Sequence, residues 1–158
     1  MTAKMTNEQV VATVGDLLEV LRQPDRDPML IAILESLPLT SDTLIKVLTV
    51  LSSRAGQMTL EAAGVDPRNM TGRVRPQYAL PADDMSDHAK TGATLLGLGC
   101  NFLLAEGAAA EMEAASSLDA AVTTAVARGP QHTFLVLGEI LGHIRRLIDG
   151  DTRGVIRA

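Results

Sequence analysis

Aromatic side chains are almost missing from this chain: one Tyr, two Phe and no Trp in 158 residues. Single-strand nucleic-acid binding and most base recognition in RNA use aromatic stacking platforms, and Tyr78, Phe102 and Phe134 are too few to build one. Cysteine is scarcer still. Cys100 stands alone, which excludes an internal disulfide framework and fits a reducing, cytoplasmic setting. Positive charge is also in deficit. A net charge of −5 is wrong for a general polyanion binder, so any nucleic-acid role would need a local basic patch. Met1 to Glu8 contain no apolar run, and a signal peptide is not expected. The longest apolar stretch, Gly92 to Ala105, falls short of the ~20 residues a membrane span needs.

What remains is Leu, Ile, Val, Ala and Met, enough for a chain of this length to bury roughly 70% of its unfolded surface without a disulfide or metal. The apolar residues recur at helical rather than alternating spacing, so no strand pattern competes. Thr6 and Gln9 have the spacing of a capping box, with Met5 and Val10 placed as a hydrophobic staple. Val10, Val11, Val14, Leu17, Leu18 and Leu21 then form one apolar face, which Pro24 ends. Asp27-Pro28 reads as the start of a short second helix. Its run Met29 to Leu34 is apolar all round and therefore expected to be buried on most sides. Thr40 or Ser41 caps a third helix through about Ala55, with Gly56 as its stop.

Helical patterning resumes at Asp83. Ala89, Ala93 and Gly97 lie four apart, so they share a nearly bare face that a neighbouring backbone can approach, and Gly97 is expected at such a contact. Gly107 to Ala115 reads as a solvated continuation, with a new helix restarting at Ser116 or Ser117 and burying Leu118, Val122, Ala125 and Val126. Gly129-Pro130 breaks the chain again. The last helix, about Gln131 to Asp149, carries Phe134, Leu137, Leu141 and Ile144 at near-heptad spacing, with Val136, Ile140 and Leu147 widening the stripe. The expected fold is all-α: one compact domain over 1–150, a bundle of about five to seven helices with an irregular Pro/Gly-containing crossing near 64–82, and a mobile C-terminal tail over 151–158.

Residues 59–75 resemble part of a bacterial helix-turn-helix. Thr59-Leu60 opens a would-be first helix, Gly64-Val65 a turn, and Arg68, Asn69, Arg73 and Arg75 supply groups that could face a major groove. Gly72 inside the second helix costs ~1 kcal/mol against Ala, and Pro76 cuts it short. The other reading of these residues is a capped turn and a surface loop whose arginines are solvated or paired with carboxylates. Glu139 and His143, four apart, share a face; two residues do not make a metal site, and they read as a surface Glu–His pair. His88 and His132 lie near helix starts, where exposed or capping roles are commoner than catalysis. Cys100, among leucines, is expected to be an inert buried thiol.

No phosphate loop, nucleophile elbow, zinc-cysteine pair or calcium loop is present, so nothing argues positively for an enzyme, and neither cofactor nor metal is expected. The favoured expectation is a cytoplasmic regulatory or interaction protein acting through helix-mediated contacts. Its partners would be itself, as a homo-oligomer, or another protein. The interface candidates are Ala89, Ala93, Gly97, Phe134, Leu137, Leu141 and Ile144. The alternative is a DNA-binding regulator using 59–75.

Overall fold

A computed structural model describes residues 5–62, 77–78, 85–150 and 155–156. Among them six helices follow one another: α1 (Asn7–Leu21), α2 (Arg26–Glu35), α3 (Ser41–Ala62), α4 (Asp87–Leu104), α5 (Ala108–Ala127) and α6 (Pro130–Ile148). The chain is an all-α bundle. Its centre is α3, which packs against α1, α4, α5 and α6. Among the described residues no helix is long and apolar enough to cross a membrane.

Local chemistry sets most helix ends. The Gln9 amide donates to Thr6 Oγ1 at 3.2 Å, and Gln9 Oε1 accepts from the Thr6 amide at 2.8 Å, so the capping box starts α1. Met5 packs against the core beside it. Thr40 Oγ1 accepts from the Thr43 amide ahead of α3. Gly107 (φ 88°) and Gly129 (φ 111°) occupy backbone conformations that a side chain would strain, and they separate α4 from α5 and α5 from α6. Pro130 then takes the first position of α6, where its missing N–H would have had no partner.

Four expectations are corrected. Gly56 does not stop α3, which runs on to Ala62; the tight packing of α4 over this glycine, described below, outweighs its poor helix propensity. Ser116 and Ser117 do not restart a helix but lie within α5, because the break falls at Gly107. Val11 turns outward at 58% exposure, since α1 buries only the face of Val10, Val14, Leu17, Leu18 and Leu21 together with Val20. The largest departure is α2. It begins at Arg26 with Pro28 in its first turn, and it contains no buried residue. Met29 and Ile31 are 54% and 52% exposed. Apolar composition makes burial favourable but cannot create a partner, and α2 leans chiefly on α1 alone.

Ion pairs Arg26–Asp149 (3.4 Å) and Arg145–Asp27 (3.7 Å) tie the start of α2 to the end of α6. The other end of α2 faces Phe134 near the start of α6, so the two helices run antiparallel. The remaining described backbone is a two-residue antiparallel pairing, Gln77–Tyr78 with Val155–Ile156. It is too short to leave an alternating pattern in the sequence, and it joins the C-terminal residues to the connection between α3 and α4.

Candidate functional site

Backbone approach and one polar pair organise the centre of the bundle. α3 and α4 cross where Gly56 meets Gly99. A Cβ on Gly56 would lie 2.7 Å from the Gly99 carbonyl carbon and 2.8 Å from the Cys100 nitrogen. A Cβ on Gly99 would collide with the Ser52 carbonyl oxygen. Ser52 itself is buried, and its hydroxyl donates back to the Leu48 carbonyl at 2.7 Å, leaving nothing polar in the crossing unsatisfied on its account. Gly99, two residues beyond the Gly97 of the expected small-residue stripe, makes this close contact with α3. Gly97 is half-buried, while Ala89 and Ala93 line a cleft against α6. Gly92 also lets α6 in, since a Cβ there would stand 3.0 Å from Glu139 Cβ.

Cys100 follows Gly99 into the core. It is fully buried, its Sγ lies 3.7 Å from the Gly56 carbonyl, and burial pushes its thiol up to about 12. The thiolate is the reactive form. Ellman's reagent should therefore label the native protein orders of magnitude more slowly than the urea-unfolded chain; equal rates would contradict this packing.

One turn beyond the glycine crossing, Thr59 Oγ1 donates to the Ala55 carbonyl at 2.7 Å and lies 2.9 Å from His143 Nε2. A hydroxyl has a single proton, and a carbonyl can only accept. With that proton on Ala55, Thr59 accepts from His143, so the neutral imidazole carries its hydrogen on Nε2 and presents Nδ1 as a lone pair. His143 is 8% exposed. Burial first, and then the nearby Arg146 guanidinium, hold its pKa down to about 4.

The expected Glu139–His143 surface pair does not form. His143 turns inward to Thr59, and Glu139 lies 3.3 Å from His88 Nε2 instead. His88 also meets Ser86 Oγ at 3.3 Å. His132 Nε2 stands 3.5 Å from Thr91 Oγ1; desolvation and then Arg128 lower its pKa. Among the described residues no three His, Cys, Asp or Glu side chains gather as metal ligands would.

The interface candidates of α6 are largely spoken for. Leu137, Leu141 and Ile144 are buried in the intrachain core, because α6 inserts between α3, α4 and α5 and needs its wide apolar arc there. Phe134 is half-buried and faces outward with α2. Together with Ile31, Leu34, Glu35 and Leu39 it lines a shallow apolar groove of about 390 Å³. Sequence reasoning missed this surface. Its signal is the all-round apolar run of α2, which leads to burial only where a partner element reaches it.

The DNA-contact candidates Arg68, Asn69, Arg73 and Arg75 lie outside the described residues. Of the helix-turn-helix resemblance, Thr59 and Leu60 are placed: they are buried in the last turns of α3 and do not open a separate helix. Comparison with known protein families, curated proteins and solved structures finds no match to this chain.

Proposed function

We propose that this protein acts through helix-mediated protein–protein contact rather than by chemistry of its own, and that in the cytoplasm it self-associates through the outer face of α2. One observation carries this reading. A helix whose sequence is apolar on every side has no buried residue. Ile31 at 52% and Leu39 at 59% exposure border the groove against Phe134, and among the described residues Glu35 is the only charged one lining it. Exposed contiguous apolar surface of this kind is what interaction sites have in common. Scarcity of charge favours a second copy: two chains of net charge −5 repel in general, but a patch holding one carboxylate per copy can pair isologously with little direct repulsion.

On this reading self-association uses α2 and the Phe134 end of α6, because Leu137, Leu141 and Ile144 are already buried in the intrachain core. Sedimentation should find a dimer or larger assembly at micromolar concentration. The double variant Ile31→Glu/Leu39→Glu should be a folded monomer, because neither side chain belongs to the buried core. A wild-type chain that stays monomeric at hundreds of micromolar, or a double variant that still associates, would remove the proposal.

A further inference from the structure

The cleft between α4 and α6 has the makings of a ligand site independent of the α2 surface. It encloses about 130 Å³ and is walled by Ala89, Gly92, Ala93, Leu96 and Ile140, with His143 lining it and Glu139 and Arg146 contributing to its edge. The alanines are what leave the hollow open, since larger side chains at 89 and 93 would occupy it. The volume is close to the ~150 Å³ of a dry apolar cavity that admits benzene.

His143 gives this hollow one directed polar group. Its Nε2 is committed to Thr59. Its Nδ1 has no hydrogen-bond partner among the described residues. A residue more than nine-tenths buried thus keeps one ring nitrogen without a hydrogen-bond partner among the described residues, and it lines the cleft. A ligand that donates to this nitrogen makes one more hydrogen bond, and its ring is taken out of water against the apolar wall.

We propose that the α4–α6 cleft binds a small, neutral, largely apolar molecule of about one ring, bearing a hydroxyl or N–H that donates to His143 Nδ1. The charged side chains define the class further. Arg146 at the edge disfavours a cation, and Glu139, already engaged by His88, disfavours an anion. A metal ion would find too few ligands, because no cluster of three forms among the described residues.

Phenol is the probe, since it combines one ring with one donor; benzene is the same ring without it. Protein labelled with 15N at histidine reports both ring nitrogens separately in long-range 1H–15N correlation spectra. Phenol should shift the His143 Nδ1 resonance saturably while Nε2 keeps its position, and benzene should bind about fivefold or more weakly, the worth of one hydrogen bond of ~1 kcal/mol. Ala93→Leu should fill the hollow and abolish the phenol shift, with the His143–Thr59 signals of the folded state retained. Should that variant fail to fold, Ala89→Val serves the same purpose. No saturable shift with phenol, equal affinity for benzene, or phenol binding that survives a filled cleft would each overturn the assignment.

Discussion

Replacing Gly99 by Ala should destabilise the protein by about 3 kcal/mol, although alanine is the better helix former by ~1 kcal/mol. The added Cβ meets the carbonyl oxygen of Ser52, a backbone atom that cannot swing aside as a flexible side-chain end would. α3 and α4 would have to separate, and the separation spreads to the leucines packed around the crossing. Gly138 supplies the comparison. It is exposed within α6, with nothing within 4 Å of an added Cβ. Gly138→Ala should therefore keep the propensity gain and stabilise by about 0.5–1 kcal/mol. Urea unfolding of the two variants beside wild type measures both. The same midpoint for Gly99→Ala and Gly138→Ala would mean that the helices do not approach at Gly99.

The second large effect is a loss of stability on mild acidification that His143 accounts for. The unfolded imidazole takes up a proton near 6.5, whereas the folded one resists until about 4. Between these values the unfolded chain binds more protons, so stability rises with pH across the window. The contribution is complete above about 6.5 and is lost progressively as pH falls to about 4, in total about 3 kcal/mol. His143→Gln retains an amide that can donate to Thr59 Oγ1 but does not titrate. Its melting temperature should fall less steeply than that of wild type over this window. Parallel curves would show that His143 is not held neutral by the fold.

Local rules made some helix starts and buried faces legible. Thr6 with Gln9, Gly129 before Pro130 and the Leu118–Val122–Val126 face can each be read from residues within a few positions of one another, because caps and amphipathic faces are short-range physics. The central features are not short-range. Gly56 looks like a helix stop until Gly99, on another helix, is seen to need the space above it. His143 looks like a surface partner for Glu139 until Thr59 is seen across the core. α2 shows the limit from the other side: its apolar run was plain, but burial depends on what the rest of the chain can bring to it, and here only α1 and the edge of α6 arrive.

The glycine crossing also decides what the chain can tolerate elsewhere. α1 to α3 and α4 to α6 are each joined by short connections, while residues 63–86 separate the two sets. Closing that longer connection costs chain entropy that grows only logarithmically, about 0.6 kcal/mol for each doubling of its length. The pairing of the two halves rests on the backbone fit of Gly56 on Gly99 together with the core that α3 shares with α5 and α6. Two separately synthesised fragments, or a chain re-threaded with new ends in this connection, should therefore keep the complementary glycine faces by which they recognise one another.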